Sequence, residues 1–262
     1  MILVVAAAQA QAVAGELDTN VRTAAGLVRE AADRGAQVVV LPETFMTGYD
    51  LDAFAGRLPS LADLPLAPLR DAARDSGAVV VAGCALEAEG LKTISSIVVQ
   101  PDGSVVVPYD KQHLDGDEKR YFTPGDHGAS IRVHGLELGL SICYDGCFPE
   151  HARAAAADGA VAYLSSSAYF VGAEHRRDLY YAARAVENGM YVVFAGLTGR
   201  CGSRDFSGGS AVYDPEGRPL VRLGTEPGVA VADIDTDVVE ATRSRHTMLA
   251  DHRESLGERV RR

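Results

Sequence analysis

The sequence predicts one α/β domain with mixed sheets, in which β-hairpins are combined with βαβ units. Continuous apolar runs alternate with segments that have the apolar spacing of helices, which is typical of the α/β class. Two turn signatures, PDG at 101–103 and DPEG at 214–217, lie between apolar runs and indicate hairpins. The 262 residues are 47% hydrophobic and contain no low-complexity linker, so one large core is favoured.

The chain opens with a strand, a helix and a second strand. Residues 2–8 (ILVVAAA) form a continuous apolar run, as expected of a buried strand. Asp18 and Thr19 are good N-cap residues, apolar side chains then recur with helical spacing, and Gly35 ends the helix. The second strand is AQVVVLPE at 36–43, and its final glutamate lies just past the carboxyl end of the strand.

A loop, a helix, a strand and a hairpin follow. The loop contains prolines, the short helix ends near Ser76, and residues 78–85 form a core strand. The hairpin covers 93–111 (TISSIVVQPDGSVVVPYDK), with its turn at Pro-Asp-Gly. Lys111 therefore lies at the end of a strand.

The segment LELGLSICYD at 136–145 is predicted to be a strand that leads into a helix. Pro149 suits the first turn of that helix, because proline has a helical φ angle and the first turn does not need its missing N–H. Cys143 therefore lies at the junction between a strand and a helix.

The second half of the chain repeats these elements. We expect strands at 160–167, 190–197 and 228–234 and a hairpin at 208–223. A helix between the first two strands is expected to bury a face that carries Leu179, Ala182, Ala183 and Val186. The final residues are rich in Arg and His, so we divide the chain into a domain at 1–240 and a C-terminal tail at 241–262.

Composition limits the possible partners. Lys and Arg number 25, Asp and Glu number 36, and a net charge of −11 does not suit binding to a phosphate backbone. The apolar start MILVVAAAQAQA lacks the basic region of a secretory signal, and no apolar run reaches the roughly 18 residues of a membrane span. Four cysteines in a chain of this length are a poor disulfide framework. The sequence thus predicts a soluble, cytoplasmic protein with reduced thiols and no nucleic-acid or membrane partner.

Three polar residues share one kind of position in the predicted fold. Glu43, Lys111 and Cys143 each lie where a strand ends, and in α/β sheets ligands bind outside the carboxyl ends of strands. A cysteine there can act as a nucleophile if a cation favours its thiolate and a base accepts its proton. Lys111 and Glu43 could supply these functions. Taken singly, such a cysteine is usually a small buried side chain, and a lone Glu or Lys is usually a solvated loop charge.

Two alternatives use other residues. Cys143, Cys147 and His151 are spaced four apart, but zinc prefers four ligands, no second Cys/His pair has suitable spacing, and Pro149 would interrupt a helix. His113 is the best histidine for a Cys/His dyad, although a structural hydrogen bond is its favoured role. The chain lacks the motifs of phosphate loops, dinucleotide-binding folds and serine hydrolases. We therefore predict no metal and no cofactor.

Several segments resemble those of the nitrilase superfamily, the carbon–nitrogen hydrolases. The three signature motifs are matched by LPETFMTGY around Glu43, YDKQHL around Lys111 and GLSICYDGCFPE around Cys143. Further family segments are matched by FTPGD at 122–126, ARAVENGMYVV at 183–193 and the GGSAVYDPEG hairpin. The resemblance covers nearly the whole chain, and three ordered motifs make an accidental match improbable.

The resemblance implies a fold, an assembly and a catalytic set. The fold is a four-layer αββα sandwich with mixed sheets, and members commonly pair into homodimers, in which the tail at 241–262 would lie at the interface. The catalytic set is a Glu-Lys-Cys triad, carried here by Glu43, Lys111 and Cys143. A second family glutamate follows the lysine, and Glu118 fits that place among the acidic residues of its loop.

The resemblance also implies a mechanism. Glu43 would accept the thiol proton while the sulfur of Cys143 attacks an amide carbon. Lys111 and the backbone N–H of Tyr144 would hold the oxyanion, and Glu118 would orient Lys111 and the substrate or the water. The substrates are a small-molecule amide and water, and the reaction needs no cofactor.

The residues around the cysteine indicate the branch of the superfamily. True nitrilases usually carry Cys-Trp-Glu, whereas Cys143-Tyr144-Asp145 followed by Phe-Pro-Glu resembles the amidase-type branches. We therefore expect hydrolysis of a small aliphatic, ω-amino or ω-carboxy amide. An N-carbamoyl-amino-acid hydrolase and a binding or redox-sensing protein that uses Cys143 and Cys147 are the alternatives. Candidate pocket residues, which could equally be packing residues, are Tyr49, Ser167, Tyr169, Phe170 and Glu174.

Overall fold

Two six-stranded mixed β-sheets, a small two-stranded sheet and two layers of helices build the protein, whose computed structural model describes residues 1–253 and 255–261. The strands are β1 (Ile2–Gln9), β2 (Val38–Val40), β3 (Val79–Ala88), β4 (Leu91–Val99), β5 (Val105–Asp110), β6 (Ser130–Val133), β7 (Leu136–Ile142), β8 (Ala162–Ser167), β9 (Tyr191–Gly196), β10 (Thr198–Cys201), β11 (Arg204–Ser207), β12 (Ala211–Tyr213), β13 (Pro219–Arg222) and β14 (Gly228–Asp235). The helices are α1 (Leu17–Asp33), α2 (Leu51–Ala55), α3 (Ala67–Ser76), α4 (Pro149–Ala157), α5 (Glu174–Val186) and α6 (Thr236–Arg245). Short 3-10 turns lie at Leu61–Asp63, Gly116–Arg120 and Cys143–Cys147.

Each sheet has parallel strands at its centre and antiparallel strands at its edges. The first sheet has the order β14-β1-β2-β3-β4-β5, in which β1, β2 and β3 are parallel. The second has the order β13-β12-β9-β8-β7-β6, in which β7, β8 and β9 are parallel. The β4–β5 and β12–β13 hairpins are antiparallel, as their turn signatures predict. The prediction of mixed sheets is confirmed, and the two halves of the chain repeat one arrangement.

The two sheets pack face to face and the helices cover their outer faces. Strand β1 contacts β9, β3 contacts β8 and β4 contacts β7, so the main hydrophobic core lies between the sheets. Helices α1 and α3 contact the first sheet, and α4 and α5 contact the second. The Ala-, Val- and Leu-rich strands suit this position, because a strand covered on both faces needs apolar side chains on both. The four-layer αββα sandwich that the resemblance implies is confirmed.

The segment after β2 approaches the neighbouring strand closely. Strand β2 ends at Val40, before its predicted end, and the chain then crosses Gly83 of β3. A Cβ atom at Gly83 would lie 2.4 Å from the carbonyl oxygen of Pro42 and 2.6 Å from Cα of Glu43. The absence of a side chain at Gly83 therefore lets Glu43 enter the space between the sheets.

The first helix begins earlier than the sequence predicts. Helix α1 starts at Leu17 with Glu16 as its N-cap, so the prediction that Asp18 and Thr19 cap it is wrong. The helix has no side-chain cap, and Asn20 in its first turn instead holds the preceding loop, because its side-chain amide exchanges hydrogen bonds with the backbone of Val13. The proline-containing loop also forms a helix, α2, that the sequence pattern did not predict.

The buried face of α5 differs from the predicted one. Leu179 is 60% exposed and Val186 is 42% exposed, so the predicted apolar face is wrong. The buried residues of this helix are instead Arg177, Tyr181, Arg184 and Ala185. Polar side chains can be buried there because each finds hydrogen-bond partners in neighbouring loops, which a sequence period does not reveal.

The end of the chain contains a helix. Helix α6 extends across residue 240, so the boundary predicted between domain and tail falls inside a helix. Of the predicted tail, residues 254 and 262 lie outside the described residues, and its location at a dimer interface stays a prediction. Within the described part of the chain, no helix has the length and apolar character needed to cross a bilayer.

Candidate active site

Three predicted catalytic side chains meet between the ends of the two sheets. Glu43 follows β2 and Lys111 follows β5, and the Lys111 Nζ donates a hydrogen bond to Glu43 Oε1 at 2.7 Å. The same Nζ donates to both carboxylate oxygens of Glu118 at 2.8 Å. All three side chains are buried, with exposed fractions of 0%, 0% and 2%. The structure therefore places one ammonium between two buried carboxylates.

Cys143 lies beside this cluster, on the 3-10 turn that follows β7. Its backbone has a φ of 46°, in the left-handed region that residues with a Cβ rarely adopt. The Tyr181 hydroxyl donates to the Cys143 carbonyl oxygen at 3.0 Å and helps to hold this turn. Glu43 Oε2 has no protein hydrogen-bond partner within the described chain, so it is available to accept a proton from the neighbouring Cys143.

The electrostatics of the cluster suit proton transfer near neutral pH. Burial raises the pKa of Glu43 to about 7, although Lys111 opposes this rise. Burial also opposes the charge of Lys111, but the Glu43 and Glu118 carboxylates outweigh it and hold the Lys111 pKa well above its ordinary value. Burial and the Glu43 charge raise the pKa of Cys143, so the resting thiol is protonated. A protonated thiol becomes a strong nucleophile only when a base accepts its proton, and Glu43 lies close enough to accept it.

The Glu43 pKa predicts the pH dependence of activity. Only the carboxylate form can accept the thiol proton, so kcat/KM is expected to rise with pH, with an inflection near the Glu43 pKa of about 7. A pH–rate profile from about pH 5 to about pH 9, with circular dichroism at each pH as a control for unfolding, measures it. A flat profile across this range would contradict the assignment of Glu43 as the base.

Glu118 is the acidic residue of its loop that enters the site. It lies on the Gly116–Arg120 turn, where its Oε2 accepts a hydrogen bond from the backbone N–H of Asp115 at 2.7 Å. Its Oε1 accepts another from the Tyr49 hydroxyl at 2.9 Å. Asp115 is exposed, and Asp117 pairs with Arg120 on the surface. Glu118 thus matches the position expected of the second glutamate.

The predicted pocket residues separate into two groups, of which the first contacts the cluster. Besides its bond to Glu118, the Tyr49 ring packs edge-on against Phe170, with ring centres 5.8 Å apart. The Ser167 carbonyl oxygen accepts from the Glu43 N–H at 3.4 Å, and its hydroxyl lies 2.9 Å from the Tyr181 hydroxyl. Tyr49 and Ser167 therefore support the catalytic side chains, and Phe170 packs behind Tyr49.

The second group lies farther along the same wall. The Tyr169 hydroxyl lies 3.5 Å from the sulfur of Cys147. Glu174 begins α5, and its carboxylate accepts from the Gly172 N–H at 2.8 Å in an exposed position. Within the described chain, Glu174 forms no hydrogen bond or ion pair with the catalytic cluster.

The alternatives based on histidine and metal find other partners. His113 Nδ1 lies 2.9 Å from Asp145 Oδ1, and its ring stacks on Phe148 with centres 3.8 Å apart. His151 lies between the hydroxyls of Tyr109 and Tyr163. The histidines near Cys143 thus have structural hydrogen bonds. No group of three or more His, Cys, Asp or Glu side chains among the described residues could hold a metal ion.

Sequence reasoning missed the residues that support the cysteine turn. Asp145 is fully buried beneath it, and Arg184 donates to the Gly146 carbonyl oxygen at 3.2 Å. Tyr109 and Tyr163 lie inside strands that were read as apolar. A buried tyrosine usually needs a partner for its hydroxyl, and this was the available signal, but the partner lies far away in the sequence.

A cavity of about 440 Å³ adjoins the site. It lies between the segment that follows Lys111 and the turn that follows Cys143. Its walls are formed by Gln112, His113, Leu114, Lys119, Phe122, Pro124, Tyr144 and Phe148. The cavity is thus large enough for a small organic molecule and is mostly apolar.

Comparison with known proteins shows that the chain is similar to enzymes. The family model described as carbon-nitrogen hydrolase matches residues 4–244. A protein of Pyrococcus abyssi named nitrilase is 36% identical over 87% of this chain and 88% of its own length. The omega-amidase of Mus musculus is 32% identical over 90% of both chains. A structure of the Nesterenkonia AN1 amidase from the nitrilase superfamily superposes with a TM-score of 0.83 at 33% identity, covering 93% of this chain and 95% of that one.

Proposed function

Because this chain belongs to the carbon–nitrogen hydrolase family, the nitrilase superfamily, we propose that it is a thiol amidohydrolase that acts on small linear amides through an acyl-enzyme on Cys143. Family membership makes it a hydrolase of carbon–nitrogen bonds other than peptide bonds, on the amidase branch. The observation that supports the proposal is the Lys111 ammonium held between Glu43 and Glu118 beside the strained Cys143 turn. In a glutamate-to-glutamine mutant of a relative, the Nesterenkonia amidase, acrylamide forms a Michael adduct with the active site cysteine.

Acylation begins with attack on the amide carbonyl. The Cys143 sulfur forms a bond to the carbonyl carbon while its proton passes to Glu43 Oε2. The carbonyl π electrons move to oxygen, and the resulting oxyanion is stabilised by Lys111 and the backbone N–H of Tyr144. The proton then passes from Glu43 to the amide nitrogen, the carbon–nitrogen bond breaks, and ammonia leaves a thioester on Cys143.

Deacylation uses the same groups with water as the nucleophile. Glu43 accepts a proton from the water while the water oxygen attacks the thioester carbon. Lys111 and Tyr144 N–H stabilise the second oxyanion, the carbon–sulfur bond breaks, and the proton returns to the Cys143 sulfur. The products are a carboxylic acid and the resting thiol. Glu118 contributes by holding the Lys111 ammonium in place with both of its oxygens.

Two neighbouring activities differ from amide hydrolysis in their substrates. An N-carbamoyl-amino-acid hydrolase would release carbon dioxide with ammonia, and a nitrilase would convert a nitrile, as the name of the Pyrococcus abyssi relative states. The Cys143-Tyr144-Asp145 sequence favours an amide, because nitrilases usually carry Cys-Trp-Glu. Ammonia release from panels of amides, N-carbamoyl compounds and nitriles therefore tests the proposal. The absence of ammonia release from every amide would contradict it.

The cavity beside the site suggests which amides are preferred. In a chain with a net charge of −11, Lys119 is the one Lys, Arg, Asp or Glu side chain that lines this cavity in the described structure. Lys119 forms no ion pair within the described chain, whereas its neighbour Arg120 pairs with Asp117 at 3.4 Å. An uncompensated cation in a mostly apolar cavity favours an anionic ligand group. We therefore propose an ω-carboxy amide, whose carboxylate pairs with Lys119.

Lys119→Met is expected to weaken turnover of ω-carboxy amides selectively. An exposed ion pair contributes about 1 kcal/mol, so KM for an ω-carboxy amide should rise roughly fivefold, and a neutral amide of equal length should be unaffected. Steady-state kinetics on ω-carboxy, neutral and ω-amino amides measure this difference. Arg120→Met is the matched control, because it removes an adjacent exposed cation that does not line the cavity. Equal KM changes for charged and neutral amides would contradict the assignment of Lys119.

We also propose that the enzyme assembles as a homodimer. Apolar side chains on the outer face of α5 and after α6 support this, since Leu179 is 60% exposed and Met248 is 47% exposed. The cytoplasmic location stays a prediction from the sequence.

A further inference from the structure

Asp145, two residues after Cys143, is a buried carboxylate that the reaction scheme does not use. Its exposed fraction is 0%. Burial would raise its pKa, but hydrogen bonds from His113 and Tyr109 together with the nearby His151 outweigh burial and lower the pKa. A carboxylate that is charged at this depth needs several donors, because desolvation of an unpaired charge is unfavourable.

The donors around Asp145 come from both sheets. Its Oδ1 accepts from the His113 N–H at 2.9 Å and lies 2.9 Å from His113 Nδ1. Its Oδ2 accepts from the Tyr109 hydroxyl at 2.6 Å and from the Ile142 N–H at 3.0 Å. Tyr109 and His113 lie two residues before and two residues after Lys111. Ile142 directly precedes Cys143. One carboxylate therefore joins the segment that carries the lysine to the turn that carries the cysteine.

Hydrogen bonds continue from the Tyr109 hydroxyl to the second sheet. The Tyr109 hydroxyl lies 2.8 Å from His151 Nε2, and His151 Nδ1 lies 2.7 Å from the Tyr163 hydroxyl. His151 lies on α4 and Tyr163 on β8. The Tyr109 hydroxyl thus has hydrogen-bond partners in both Asp145 and His151, which gives the bond to Asp145 a defined direction.

No backbone ladder can link Lys111 to Cys143, because β5 and β7 belong to different sheets. Apolar packing between the sheets is non-directional and does not specify the small distances that oxyanion stabilisation requires. The Cys143 turn is in addition strained at a φ of 46° and has to be held there. Hydrogen bonds across the sheet interface are directional, so they can fix the distance between Lys111 and Cys143 that packing alone does not specify.

We propose that Asp145 is a positioning residue that fixes the Lys111 ammonium relative to the Cys143 sulfur across the two sheets. The inference rests on the proposed amidase function. Asp145 does not touch the reacting atoms, so its loss should affect the step that needs both residues and spare reactions of Cys143 that need no oxyanion stabilisation.

Asp145→Asn tests the proposal, because it keeps the size of the side chain and replaces one acceptor oxygen by a donor that faces N–H groups. Since a displacement of about 1 Å can cost on the order of 10²-fold in rate, kcat for an amide should fall 10- to 100-fold while KM changes less than about threefold. Alkylation of Cys143 by iodoacetamide forms no oxyanion, so its rate should fall less than about threefold. Asp158→Asn, an exposed residue at the end of α4, is the matched control.

A second variant covers the case that Asp145→Asn does not fold. Tyr109→Phe removes one of the donors and keeps the ring, so it should lower kcat about tenfold with the same sparing of alkylation. Wild-type-like kcat in both folded variants, or equal losses in amide turnover and alkylation, would overturn the role of Asp145. A wild-type enzyme that hydrolyses no amide would instead contradict the proposed function, whatever the variants do.

Discussion

Cys143→Ala is expected to reduce amide hydrolysis to the uncatalysed background, a loss of about 10⁴-fold or more in kcat. The substitution removes the sulfur that forms the thioester, and neither Glu43 nor Lys111 can replace a nucleophile. The buried cluster remains intact, so the protein should fold normally. Ammonia release under saturating amide measures the loss, and intact-mass spectrometry of the quenched wild-type enzyme should show an acyl adduct that the variant lacks.

Cys147→Ala is the matched control for this experiment. Cys147 ends the same 3-10 turn, but its sulfur lies 3.5 Å from the Tyr169 hydroxyl and has no partner in the catalytic cluster. Its loss should leave kcat within a few-fold of wild type. Turnover that survives in Cys143→Ala would refute the acyl-enzyme scheme. A reversible Cys143–Cys147 disulfide formed by peroxide, in a protein without amidase activity, would favour the redox-sensing alternative.

Lys111→Met is expected to lower kcat by on the order of 10²- to 10³-fold, for two separate reasons. The oxyanion loses its cationic partner, which alone has an effect of about that size. The two buried carboxylates also lose the ammonium between them, and without it the Glu118 charge raises the pKa of Glu43 unopposed. Glu43 would then be protonated at neutral pH and unable to act as a base. The pH–rate profile of the variant should therefore shift its inflection above the wild-type value of about 7.

Lys92→Met separates this effect from the general loss of a lysine. Lys92 lies on β4 and donates to the backbone carbonyls of Phe54 and Gly56, outside the cluster. Its replacement removes one partly buried and one exposed hydrogen bond, so it should change the free energy of unfolding slightly while leaving kcat within a few-fold of wild type. Lys111→Met with more than about a tenth of wild-type kcat would contradict the role of Lys111 in the oxyanion site.

The sequence pattern predicted the elements that depend on neighbouring residues. The two hairpin turns, the proline in the first turn of α4 and the buried strands are local features, and all are confirmed. The sequence pattern also placed Glu43, Lys111 and Cys143 at strand ends, where α/β folds bind ligands, and the structure brings them together between the ends of the two sheets. Their roles in the reaction stay predictions that the variants above test.

The sequence pattern predicts the wrong cap for α1 and the wrong buried face for α5, because residues far away in the sequence provide hydrogen-bond partners there. The cap of α1 was misplaced because Asn20 holds the preceding loop through Val13. The face of α5 was misassigned because Tyr181 and Arg184 are buried to bond the carbonyl oxygens of the Cys143 turn. In both cases a polar side chain forms hydrogen bonds with backbone groups of a loop, and hydrophobic periodicity carries no information about such bonds.

Periodicity and the positions of strand ends were sufficient to predict the α/β class and the proximity of Glu43, Lys111 and Cys143, because these depend on patterns within short segments. The reactivity of those side chains depends on the assembled sandwich. The Glu43 pKa of about 7 arises from burial between the sheets and from Lys111 and Glu118, which come from another strand and its following loop. The hydrogen bonds that Asp145 accepts from Tyr109 and His113 likewise form only when the two sheets pack together. Desolvation and hydrogen bonds across the sheets act between atoms far apart in the chain, so no local sequence pattern encodes them.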